Sequence, residues 1–262
     1  MITEYKKFTE PASAELETAR TIQEGLLPKP RHFQRLFNDS FVLDIPLNII
    51  SGDFYWIGAK NDLSYAVIGD CTGHGTAAAL LSVLAINLFE YTIMNKGLKK
   101  TYKILQEVDK RFIESFKNIE EENFDNPWID LSIVCIDKKK SKLYFSSANH
   151  KLIHISKQAE MQVIKGNKYP IGGWQMEQNR TFDPQIIDYQ PGDIIFMGSD
   201  GFQDQFGGPK FKKYKLKRLN NLLQSNFNLP FNQLKTLLEF EFNAWKGDNF
   251  QVDDVCLMGI KL

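Results

Sequence analysis

Residues 63–82 read LSYAVIGDCTGHGTAAALLS. Leu63 to Asp70 is a short run rich in apolar, aromatic and β-branched residues, which predicts a buried strand. Gly73 and Gly75 let the chain turn tightly, and the Ala- and Leu-rich block from Thr76 to Met94 predicts a buried helix. Asp70 therefore stands at the tip of a strand, on a fixed backbone that aims its carboxylate, and the next carbonyl, at Cys71, faces the same way.

Three further segments share this design: Ser51-Gly52-Asp53, Gly198-Ser199-Asp200-Gly201 and Val252-Asp253-Asp254. Asp53 enters the aromatic run Phe54-Tyr55-Trp56, where a charge needs a partner or a metal. Asp200 follows the apolar run IIFMGS. Asp253 opens the last strand and is favoured as a ligand over its neighbour Asp254, the second candidate. Taken singly, each has an ordinary reading as a turn residue, a helix cap or a solvated charge. Together they suit a hard divalent cation such as Mg²⁺ or Mn²⁺, which takes oxygen ligands. Two such ions about 3.5–4 Å apart activate water and clamp a phosphate, so the pattern fits a phosphatase or a nuclease. His74, in the glycine loop, is a further acid/base or metal candidate. No second histidine stands at ligand spacing, and 4 histidines in all exclude a His-rich centre.

Strand-like runs surround this segment: FVLDI and DFYWIGA before it, then WIDLSIVCID, KLYFSSAN, KLIHIS, MQVIK, PQIIDY, DIIFMGSD and finally DDVCLMGIKL. Helical spacing covers 98–116, 215–224 and 231–245, and the acidic stretch 120–126 is expected to close the first helix pair. Strands, helix pair, strands, helix pair and a last strand predict an α+β fold: two stacked antiparallel sheets flanked by helices, an α/β/β/α sandwich.

Ala12 to Leu27 carries Leu16, Ala19, Ile22 and Leu26 in one narrow stripe, and Pro28 and Pro30 end it. The chain divides into an N-terminal helical arm over 1–30 and a domain over 31–262. Two readings of the arm stay open: a helix packed on its own domain, or a short coiled coil pairing two copies and passing on a signal.

At 262 residues the chain buries roughly three quarters of its unfolded surface, enough for one core. The 32 basic residues balance 32 acidic ones, against a duplex-DNA footprint. Three scattered cysteines, Cys71, Cys135 and Cys256, exclude a disulfide framework and fit a reducing cytoplasm. The first ten residues lack the apolar core and cleavage site expected of a signal peptide, and Ser82, Asn87 and Glu90 interrupt the one near-membrane segment, so no membrane span is expected.

Taken in order, GDFYWIG, VIGDCTGHGTAAALLS, SSANH, YPIGG, PGDIIFMGSDGFQDQFG and DDVCLM resemble the metal-dependent protein serine/threonine phosphatases of the PPM (type 2C) superfamily. Its bacterial SpoIIE-like branch, the environmental phosphatases of partner-switching pathways, is the better match, from about Gln23 to Leu262. The resemblance implies a two-ion Mn²⁺ or Mg²⁺ centre held by Asp53, Asp70, the Cys71 carbonyl, Asp200 and Asp253, with Asp70 and Asp200 acting through activated water. It also implies a phosphoserine- or phosphothreonine-bearing protein substrate, such as an antagonist of an anti-sigma factor. Thr72 stands where eukaryotic relatives carry a histidine, so the general acid is unassigned. Ser51 replaces a glycine, Ala148-Asn149-His150 departs from Asn-Ala-Gly-His, and no counterpart of the phosphate-binding arginine precedes Asp53.

After the catalytic loop comes a basic run with Lys210, Lys212, Lys213, Lys215, Lys217 and Arg218, readable as a solvated helix entry or, at Lys210 and Lys212, as a docking patch for an acidic protein. Two rival functions remain. A pseudophosphatase would bind phosphoprotein without turnover, though a scaffold does not need four mutually repelling carboxylates. A two-metal nuclease lacks the basic and aromatic groove pattern, so no nucleic-acid partner is expected.

Overall fold

The computed structural model describes residues 2–119, 126–173 and 180–262, with side chains from residue 14 onward. Helices α1 (Ile2–Leu26) and α2 (Pro30–Leu36) lead into β1 (Asp39–Ile45), β2 (Asp53–Lys60) and β3 (Leu63–Cys71). Next come α3 (Thr76–Glu90), which runs on as a π-helical turn over Tyr91–Asn95, and α4 (Thr101–Phe116). Strands β4 (Trp128–Asp137), β5 (Lys142–Ala148), β6 (Lys151–Ile155), β7 (Met161–Lys165), β8 (Ile171–Gly172), β9 (Gln185–Asp188) and β10 (Ile194–Gly198) follow. The chain closes with α5 (Gly201–Asp204), the small hairpin β11 (Phe206–Gly207) and β12 (Lys212–Lys213), α6 (Leu216–Asn226), α7 (Phe231–Lys246) and β13 (Val255–Lys261).

The strands form two antiparallel sheets, ordered β1-β13-β10-β6-β7 and β2-β3-β4-β5-β9, with β8 beside β4. Successive side chains on a strand face opposite ways, so every central strand feeds two cores. On β3, Tyr65 and Val67 pack against α3 and α4, while Ala66 and Ile68 face the other sheet. On β10, Ile195 and Met197 meet them across the sandwich, and Ile194 and Phe196 turn outward to Leu223, Leu234 and Leu238 of α6 and α7. Two sheets between two helix layers give three stacked cores, as expected. Truncating a Leu or Ile in any of them costs about 2–5 kcal/mol.

Two details depart from the sequence reading. Pro30 does not sit in a linker. It opens α2, where proline's missing N–H costs nothing, and Phe33 and Phe37 plug the inter-sheet core. The stripe expected on α1 is split: Leu16, Ala19 and the buried Gln23 turn inward, while Ile22 is 62% and Leu26 41% exposed. The stretch 120–126 falls almost wholly outside the described residues.

Thr76–Asn95 is long and apolar enough to cross a membrane by composition, but Ala78, Ala85, Phe89 and Ile93 pack on the β2–β3–β4 sheet. Its apolarity is that of a core helix. The three cysteines are buried and unpaired.

Candidate active site

Register builds the site. Asp53 pairs with Asp70 across β2 and β3, and Asp70 with Asp130 across β3 and β4. All three fall on the strand faces that look across the sandwich, at the end where the inter-sheet core stops. From the opposing sheet Ser199, just past β10, donates its hydroxyl to Asp53 Oδ2 at 2.5 Å and accepts the Cys256 N–H at 3.0 Å. Asp53 is 4% exposed, and its Oδ1 has no hydrogen-bond partner among the described residues. An unpartnered carboxylate oxygen facing a second and third aspartate is the environment a hard cation relieves.

Electrostatics point the same way. Burial, then the charges of Asp200, Asp253 and Asp130, push Asp70 up to about 8. Burial and the neighbouring Asp70 raise Asp53 well above the usual carboxylate range. Asp130, Asp200 and Asp253 are each raised, chiefly by burial. These groups share one field and repel one another. Among the described residues no group of three or more His, Cys, Asp or Glu side chains stands close enough to hold one ion.

The surrounding loops are tightly braced. Asp200 precedes α5, whose Gly201 passes so close to the Asp254 carbonyl that a Cβ would lie 1.9 Å from it. Asp254 is spent on structure: its two oxygens accept the N–H groups of Leu47 and Gly52, each at 2.7 Å. Asp253 is then the member of the pair left for the site. Its Oδ1 accepts the Asp254 N–H at 2.8 Å, and His74, exposed in the glycine loop, acts to lower its pKa. The Cys71 thiol is buried with the α3 core, while its carbonyl lies against Gly52, where a Cβ would sit 3.2 Å away. Lys210 and Lys212 are exposed on the β11–β12 hairpin and its turn.

The family pattern described as Stage II sporulation protein E (SpoIIE) matches residues 61–262. The chain belongs to the SpoIIE family. Its fold is that of the PP2C phosphatases. It superposes on the SiaA-PP2C domain of Pseudomonas aeruginosa with a TM-score of 0.86 at 24% identity over 100% of both chains. The PP2C phosphatase domain and regulatory fragment of SpoIIE from Bacillus subtilis give 0.66 at 18% identity, over 86% of this chain and 63% of that one. RsbX in complex with magnesium gives 0.58 at 15% identity, over 85% and 94%. At these identities the likeness is one of fold. No curated protein sequence matches.

Within this SpoIIE-like frame, three site residues escaped the sequence reading. Asp130 was hidden inside WIDLSIVCID, although its even spacing with Ser132, Val134 and Ile136 already put it on the inner face. Asn149 donates Nδ2–H to Asp130 Oδ1 at 2.8 Å, and its φ of 59° is one that asparagine tolerates better than most residues. Gln205, fully buried, donates to the Phe206 and Phe250 carbonyls and accepts the Val252 N–H, tying α5 to the loop before Asp253. No local pattern marks Gln205. Thr72 is committed to the backbone of Trp128, donating to its carbonyl at 2.5 Å and accepting its N–H at 2.8 Å.

Proposed function

We propose that this SpoIIE-family chain is a metal-dependent protein serine/threonine phosphatase acting on a phosphorylated regulatory protein of a partner-switching circuit. The observation that supports this best is the register-aligned row Asp53, Asp70 and Asp130, with a buried, unpartnered Asp53 oxygen at its end. Asp53, Asp70, Asp200 and Asp253, with Asp130 and the Cys71 carbonyl, would hold Mn²⁺ or Mg²⁺. Such ions supply charge neutralisation and a lowered water pKa for attack on phosphorus. The chain itself orients: Ser199 fixes Asp53, Asn149 fixes Asp130, and Gln205 fixes the loop before Asp253. Thr72, bound to backbone, is no proton donor, so proton delivery to the leaving oxygen falls to water or to His74.

Hydrolysis of para-nitrophenyl phosphate against Mn²⁺ concentration tests the reading, with chelator as blank and Asp70→Asn and Asp200→Asn as controls. Turnover that needs Mn²⁺ and vanishes in both variants is expected. Folded, Mn²⁺-bound protein without turnover would favour the pseudophosphatase, which binds phosphoprotein without hydrolysing it. If Lys210 and Lys212 dock the protein substrate, reversing both charges raises KM for that substrate and spares the small ester. If α1 joins two copies through Ile22 and Leu26, removing residues 1–27 lowers both the association state and the activity.

A further inference from the structure

Beside the acidic row lies a cavity of about 150 Å³, lined by Asp70, Asp130, Asp200, His150 and Lys151 and running toward Leu216 and Leu219 of α6. The acidic wall would be neutralised by the Mn²⁺ or Mg²⁺ of the reading above, and a phosphate monoester entering the cavity still gains from a fixed cation in the lining. Lys213 is spent on Asp204, 2.6 Å away. Lys210 and Lys212 lie outside the lining. The His150 ring is buried, only 9% exposed. Lys151 is the single lysine or arginine among the described residues that line this cavity; it is exposed, and no described carboxylate pairs with it.

The backbone delivers Lys151 to that place. Between β5 and β6 the chain reverses through Asn149, whose N–H donates to the Asn167 carbonyl at 2.8 Å while its side chain holds Asp130. The His150 carbonyl accepts the Ser147 hydroxyl at 2.8 Å. Lys151 thus starts β6 from a base locked to the acidic row itself, with a compact ammonium at the tip of its stem. Ammonium groups bind phosphate as point charges through charge-assisted hydrogen bonds.

We propose that Lys151 is the substrate-binding cation that receives the phosphoryl group of a phosphoserine- or phosphothreonine-bearing segment. The role rests on the phosphatase reading above. The test compares the wild-type chain with Lys151→Ala and Lys151→Arg, all with Mn²⁺. It reads KM and kcat on a phosphoserine peptide, competitive inhibition by inorganic phosphate, and peptide binding by fluorescence anisotropy in an Asp200→Asn background. Lys151→Ala is expected to raise KM and the phosphate inhibition constant roughly five- to tenfold, less at high salt, with kcat within about twofold, and Lys151→Arg to restore both. Turnover in the wild type with unchanged KM and inhibition in Lys151→Ala overturns the proposal and leaves the phosphatase reading intact. No turnover, but peptide binding that depends on Lys151, keeps the proposal and removes hydrolysis. Neither turnover nor binding overturns both.

Discussion

Asp193 and Asp53 are both buried in this sandwich and differ in how their carboxylate oxygens are used. Asp193, 3% exposed, meets His154 Nε2 at 2.9 Å and accepts the N–H groups of Lys157 at 2.9 Å and Gln190 at 3.1 Å. Asp53 is buried as deeply, yet one oxygen is unpartnered and Asp70 stands opposite. A buried carboxylate normally closes its hydrogen bonds, because leaving one open costs about 1–3 kcal/mol. The first carboxylate staples the turn before β10. The second leaves an acceptor oxygen open among like charges, a cost that a staple does not explain and that the proposed cation site would relieve.

Exchanging the charges tests that contrast most severely. Asp70→Asn should reduce Mn²⁺-dependent turnover by roughly a thousandfold or more, whereas Asp193→Asn should leave turnover per folded molecule near wild type. Steady-state kinetics on both variants decides it, and equal losses would erase the distinction.

Stability should respond in the opposite sense. Asp193→Asn strips charge from a satisfied cluster and is expected to cost about 2–3 kcal/mol, read as a lower thermal midpoint. With chelator present, Asp70→Asn should instead melt higher than wild type, by about 2–6 °C, because it removes a repelled carboxylate.

The pH dependence follows from the same imbalance. The folded-state pKa of Asp70 is raised from 3.8 to about 8, so the native state holds its proton more tightly than the unfolded chain. Its stabilising contribution is complete below pH 3.8 and is lost as pH rises through about 8. Metal-free protein should therefore lose thermal stability between pH 5 and 8, and Mn²⁺ should restore it at the upper end. A midpoint that rises with pH in chelator would argue against a shared repulsive field.

The smallest effect concerns the contact between arm and site. Gln23 of α1 donates Nε2–H to the Ser51 carbonyl at 2.6 Å and to Ser82 Oγ of α3 at 2.9 Å, and its Oε1 accepts the Ser51 N–H at 3.1 Å. It joins the first helix to the loop that presents Asp53. Gln23→Ala is expected to cost about 1–2 kcal/mol and to loosen that loop, seen as faster amide exchange at Ser51 and Gly52.

Much of this was legible in the chain. Period-two alternation and glycine turns marked the strands, and helical spacing marked the longer helices. Asp53, Asp70, Asp200 and Asp253 stood out because each ends or opens an apolar run. The short α2 was missed because Pro30, read as a breaker, occupies the one helical position that favours proline. Ile22 and Leu26 seemed part of one stripe, but the inward face of α1 is set by Gln23, a polar residue that no hydrophobic count finds.

The sequence by itself determined the layered α+β architecture and the identity of the acidic segments, because local periodicity and turn chemistry act within a few residues. Only the tertiary structure decided how those segments combine. Strand register set Asp130 beside Asp70, backbone donors used up Asp254, Gln205 braced two loops, and the β5–β6 turn carried Lys151 into the cavity lining. These are contacts between residues far apart in the chain, fixed by hydrogen-bond register and by burial, and neither is encoded in any one stretch.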